Sequence, residues 1–204
     1  MHADLSYIHR FVPARAEGRP PILLLHGTGG DEDDLLPLGA AVAPGSALLS
    51  PRGKVLEEGM PRFFKRLAEG VFDAEEIRQR AAELANFIEE AKEAYGIGAP
   101  LALGFSNGAN IASAVLMLYP QALAGAALVR AMQTLPQTQA AGLSGKPVLL
   151  LSGALDPIVP AASAQALAQQ LSAAGADLTH RTLPAGHGLT QADITILKDW
   201  IGAL

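Results

Sequence analysis

At 204 residues the chain has the length of one α/β domain, because a single layered core grows to roughly 200–250 residues before it splits. Half of its residues are hydrophobic and 17% are charged, which suits a sheet buried on both faces; the net charge of −5 offers none of the clustered Lys and Arg that nucleic acid or an anionic membrane requires, and points to a small-molecule partner. The absence of cysteine excludes disulfides, thiolate metal sites and a cysteine nucleophile, and makes the reducing cytoplasm the expected setting.

The opening residues, with Asp4, His9 and Arg10, lack the basic-then-apolar pattern of a signal peptide, and no apolar run reaches the ~18 residues of a membrane span. Residues 5–12 read as an antiparallel edge strand and 22–25 as the first parallel strand, followed by a helix over 33–42 and a strand over 46–49. Residues 51–71 are rich in Gly, Pro and charge, carry Phe63-Phe64 and lack a periodic pattern; a stretch of this kind is a functional loop or small lid, or a surface excursion held by its aromatics. The clearest helix is 74–95, where Ile77, Ala81, Leu84, Phe87, Ile88 and Ala91 recur at spacings of three and four. Strands over 100–104, 123–129, 147–151 and 177–182 then alternate with helices over 107–118, 161–174 and 190–201. Such alternation predicts one α/β domain with a mostly parallel sheet of about six or seven strands and helices on both faces.

Gly104-Phe105-Ser106-Asn107-Gly108 joins the strand at 100–104 to the helix at 107–118. A serine on this sharp turn projects above the sheet, the glycines let strand and helix approach, and the helix N-terminus favours a developing oxyanion, the setting of an α/β-hydrolase nucleophile. The bland alternative is a serine that caps the helix. A hydroxyl needs a base, and the base a carboxylate, in the chain order Ser, acid, His. His187 lies in a Gly-rich loop past a strand end, whereas His180 falls within the strand. Asp156 lies five residues past Leu151; its rival Asp177 precedes its strand and belongs on the opposite rim. The expected catalytic set is therefore Ser106, His187 and Asp156.

His26-Gly27-Thr28-Gly29-Gly30 follows the first parallel strand and has neither the GxGxxG nor the P-loop pattern, so an oxyanion hole explains it better than phosphate binding. The expected donors are the backbone N–H groups of Thr28 and Asn107, with His26 holding the loop by hydrogen bonds. Arg52 and Arg130 both lie just past strand ends, where open α/β sheets bind ligands. They are expected either to bind a substrate with a carboxylate or several carbonyl oxygens or to pin loops by pairing with Glu57, Glu58 or Asp31.

With these residues in hand the chain resembles, over nearly its whole length, the phospholipase/carboxylesterase family of α/β hydrolases, which includes the acyl-protein thioesterases. The resemblance rests on residues 26–30, Ser50-Pro51-Arg52-Gly53, residues 104–108, Gly153-Ala154-Leu155-Asp156-Pro157-Ile158-Val159-Pro160 and Gly186-His187. It implies hydrolysis of short-chain carboxylic esters without a cofactor or metal, and it makes a homodimer plausible. A bacterial carboxylesterase subgroup looks nearest, and that likeness adds Phe63, Phe64 and Met132 to Arg52 and Arg130 as substrate-binding candidates. Acyl-protein thioesterases carry Ser-Gly where this chain has Arg130-Ala131, which speaks against a lipidated protein substrate. Thioester or lactone hydrolysis on the same triad, and small-molecule binding or sensing without turnover, are the alternative readings.

Overall fold

In the computed structural model residues 5–68, 70–136 and 142–204 are described; Asp4, one of the opening residues weighed above, lies outside them. In chain order the elements are β1 (His9–Val12), β2 (Ile22–Leu25), α1 (Leu36–Val42), β3 (Leu48–Pro51), β4 (Val55–Glu57), β5 (Met60–Arg62), β6 (Arg66–Ala68) and β7 (Val71–Phe72), then α2 (Ala74–Tyr95), β8 (Leu101–Phe105), α3 (Asn107–Leu118), β9 (Gly125–Val129), β10 (Pro147–Gly153), α4 (Ala161–Ala173), β11 (Asp177–Leu183) and α5 (Gln191–Gly202). Among the described residues seven strands form one sheet in the order β1-β3-β2-β8-β9-β10-β11. All its pairings are parallel except β1 with β3, the antiparallel edge expected at 5–12.

Successive side chains on a strand point to opposite faces, and the sheet sorts its residues accordingly. Leu23, Leu25, Ala102, Leu128 and Leu150 pack with α2, α3 and α4 on one face. Ile22, Leu24, Leu103, Val129 and Leu151 pack with α1 and α5 on the other. Burial on both faces explains why these strands read as continuous apolar runs rather than as alternating ones. Helix α2 matches its expected span because both ends are encoded: Asp73 accepts hydrogen bonds from the N–H groups of Glu75 and Glu76, and Gly96 at φ +63° closes the C-terminus. Its stripe from Ile77 to Ala91 is buried, each large side chain being worth about 1.5–3 kcal/mol.

Differences from expectation have local causes. Helix α1 starts at Leu36 rather than 33 because the Asp33 N–H bonds Asp31 Oδ1 and its carbonyl takes the Leu36 N–H, spending three residues on turns. Strand β3 begins two residues late, since the Ser46 N–H closes a turn onto Ala43, and it extends to Pro51 through its pairing with His9. The aperiodic stretch 51–71 contains two short hairpins, β4–β5 and β6–β7. The first turns at Glu58-Gly59, both with positive φ, which is the geometry of a two-residue I′ turn. Phe63 and Phe64, between the hairpins, are buried in the core.

Along the sheet, β3 lies on one side of β2 while β8 and its successors lie on the other. Chain order thus reverses at β2, and a ligand crevice is expected beyond the carboxyl ends of β2 and β8.

Candidate active site

Between β8 and α3 a single residue makes the turn. Ser106 has φ +53° and ψ −115°, a conformation that costs a non-glycine residue about 1–3 kcal/mol. A Cβ on Gly104 would lie 2.6 Å from the Ala109 Cα, and one on Gly108 would lie 2.0 Å from the Leu25 carbonyl oxygen, so neither position admits a side chain. Main-chain bonds tie the strand ends together: Ser106 N–H donates to Val129 O at 2.9 Å, Arg130 N–H to Leu151 O at 2.8 Å and Ala154 N–H to Leu183 O at 2.7 Å.

The loops past β10 and β11 bring two further groups to this turn. His187 Nε2 is 2.9 Å from Ser106 Oγ, and its Nδ1 is 2.8 Å from Asp156 Oδ2. The other Asp156 oxygen accepts the N–H groups of Ile158 at 2.8 Å and Val159 at 3.0 Å. Burial by itself would push this carboxyl up; the Val159 and Ile158 N–H groups and the His187 ring outweigh it and hold the carboxyl below its ordinary value. An ionised Asp156 requires the proton on His187 Nδ1, which leaves Nε2 to accept from the Ser106 hydroxyl. By contrast His180, on β11, bonds Ser152 Oγ at 3.0 Å, and Asp177 opens β11 at the opposite rim.

The Gly-rich loop after β2 is held from several sides. Gly29 N–H donates to Pro61 O and Gly30 N–H to Gly27 O, while Thr28 Oγ1 accepts from Arg62 Nη1 at 2.6 Å. Asn107 opens α3, so its N–H has no acceptor within the helix. His26 is buried beneath the loop: Nδ1 donates to Gly27 O at 2.7 Å and Nε2 accepts the Gly53 N–H at 2.9 Å, as expected of a structural histidine and possible only for the neutral ring. Burial pushes its imidazole below the ordinary 6.5. Between that depressed value and 6.5 the unfolded chain binds the proton more readily, so His26 contributes stability that is full above 6.5 and is lost as pH falls. The urea midpoint of the wild type is expected to drop more steeply from neutral pH to below pH 6 than that of His26→Gln, which keeps an acceptor for Gly53 and does not titrate. Equal slopes would refute the assignment.

A cavity of about 260 Å³ opens over this turn, and Thr28, Ser106, Asn107, Met132 and His187 line it. Arg52, Phe63, Phe64 and Arg130, expected as substrate contacts, are not among its lining residues. Arg52 forms a two-point ion pair with Glu32, a neighbour of the expected Asp31, and this pairing holds the Glu32 carboxyl below its ordinary value. Arg130 is fully buried against Asp193, at 2.8 and 2.9 Å, and its guanidinium also donates to the carbonyls of Gly186 and Gly188 on either side of His187. It therefore grips the histidine loop from beneath, and its burial leaves no surface for a substrate. Phe63 packs its ring against His26, at 4.8 Å, and gives its N–H to Asn107 Oδ1; Phe64 packs against Phe72.

Sequence reasoning missed Arg62, Arg66 and Phe72, which reach the cavity from the hairpins, and also Asn110 and Ile158. Asn110 had a readable signal, since it lies three residues after Asn107 and so on the same helix face. Among the described residues no group of three or more His, Asp and Glu could hold a metal, and no helix is long and apolar enough to cross a membrane.

Residues 8–204 match the family model described as Phospholipase/Carboxylesterase. The Bacillus subtilis (strain 168) protein MhqD is 42% identical over 181 residues, covering 88% of this chain and 90% of the relative. The crystal structure of the Bacillus cereus carboxylesterase has a TM-score of 0.95 at 42% identity and covers 98% of this chain and 95% of its own. A carboxylesterase from Mesorhizobium loti gives 0.93 at 34% identity, covering 100% and 98%.

Proposed function

The chain belongs to the phospholipase/carboxylesterase family of α/β hydrolases and is an enzyme of the esterase type, and from that premise we propose that it cleaves small, short-chain carboxylic esters with a Ser106-His187-Asp156 triad. The observation that carries this reading is the continuous hydrogen-bonded series from Asp156 through His187 to Ser106 Oγ, at 2.8 and 2.9 Å, beneath the cavity. Ser106 Oγ attacks the ester carbonyl as its proton passes to His187 Nε2, and Asp156 stabilises the imidazolium through Nδ1. The oxyanion accepts the N–H groups of Thr28 and Asn107, each worth about 10²–10³ in rate. His187 then protonates the departing alcohol; a water that gives its proton to the same imidazole attacks the acyl-enzyme and frees the acid.

Size supports short acyl groups, because about 260 Å³ is below the range of roughly 300–1,000 Å³ of pockets that hold drug-sized ligands. Met132 serves as a wall of this pocket in the proposal, and the whole chain acts as one domain. A cysteine-free composition keeps the proposed setting cytoplasmic. A fluorophosphonate probe is expected to label the wild type and not Ser106→Ala, and turnover in a series of acyl esters should peak at short chains. Labelling that persists in Ser106→Ala, or rates that climb through decanoyl esters, would overturn the reading.

A further inference from the structure

The polar lining of the cavity is unevenly matched. Asn107 and Asn110 lie one turn apart on the same face of α3, and both line the cavity. Asn107 Oδ1 accepts the Phe63 N–H at 2.8 Å and Asn110 Oδ1 accepts the Met132 N–H at 2.9 Å. A main-chain N–H can donate only to the oxygen of an amide, so both carboxamides are fixed in orientation and both Nδ2 groups turn the other way. Asn107 Nδ2 is buried without a hydrogen-bond partner, and Asn110 Nδ2 meets none among the described residues. Thr28 Oγ1 already accepts from Arg62 Nη1, Ser106 Oγ is engaged as donor to His187, and neither carboxamide Nδ2 bonds to either hydroxyl. Arg62 and Arg66 lie on the same walls, both paired with the Glu57 carboxylate.

A buried donor without an acceptor is costly, and a site that presents donors in excess is complementary to a ligand with acceptors in excess. We infer that Asn107 and Asn110 read a second oxygen acceptor on the acyl group, so that the preferred substrates are esters of carboxy- or oxo-acids rather than of plain alkanoic acids. The inference rests on the esterase reading and adds to it the class of acyl group.

Three ethyl esters of similar size test this: ethyl pentanoate, ethyl 4-oxopentanoate and monoethyl succinate, followed by acid release. The expected wild-type kcat/KM is about tenfold or more higher for the two oxygenated esters than for the pentanoate. Asn110→Leu should bring that ratio towards one. Asn110→Asp keeps an acceptor for Met132 N–H and replaces the donor with a carboxylate; it should erase the advantage of the oxo-ester and make monoethyl succinate the poorest of the three. Fluorophosphonate labelling of both variants verifies an intact nucleophile. A wild type that prefers the pentanoate, or a preference unchanged by both substitutions, would overturn the inference. A wild type that is neither labelled nor active on any of the three would overturn the esterase proposal itself.

Discussion

Ser106→Gly is expected to abolish ester turnover, by at least about 10⁴-fold, and at the same time to make the protein more stable. The two effects have one origin. At φ +53° and ψ −115° the serine backbone occupies a region open mainly to glycine, at a cost of about 1–3 kcal/mol. Glycine removes that strain and returns roughly 0.5–1 kcal/mol of it as extra freedom in the unfolded chain. The net gain is about 1 kcal/mol, which for a chain of this length raises the unfolding midpoint by roughly 2–4 °C. Ser106→Ala loses the same hydroxyl and keeps the strain, so it should be equally inactive without the gain. Thermal unfolding of the two variants beside the wild type separates these effects; a glycine variant less stable than the alanine variant would show that the turn stores no strain.

The largest expected loss of stability belongs to Arg130→Met. Its guanidinium and the Asp193 carboxylate are both fully buried, and removing one partner leaves the other charge without compensation, at a cost of about 3–5 kcal/mol. Asp193 has a second duty, since it also accepts from the Thr190 N–H and Oγ1 in the box that begins α5. In the double variant Arg130→Met/Asp193→Asn neither charge remains, and part of the lost stability should return in urea unfolding. Activity should not return with it, because the carbonyls of Gly186 and Gly188 still lack the donor that holds the His187 loop. Recovery of both together would mean that the ion pair matters for folding alone.

Much of this arrangement was legible because it is written locally. The helix at 74–95 carries its own caps and stripe, and Ser106, Asp156 and His187 each lie just past an apolar strand in the chain order that an α/β hydrolase needs; the structure brings those three within hydrogen-bond distance. What escaped depends on which way a side chain turns. An arginine just past a strand end looks the same whether it faces a ligand or packs inward, and Arg130 finds its partner 63 residues away. Residues 51–71 hid their strands because elements two or three residues long are too short to display a period. Arg62 and Arg66 were hidden with them.

Gly108 has a consequence for the two proposed oxyanion donors, which come from different loops. Its bare Cα faces the Leu25 and His26 carbonyls so closely that any added atom would overlap them. The N-terminus of α3 and the end of β2 are thus a single mechanical unit, and the gap between the Thr28 and Asn107 amides is set by two backbones in contact, with no side chain as a spacer. A substrate carbonyl entering there meets a socket whose width is already determined before anything binds.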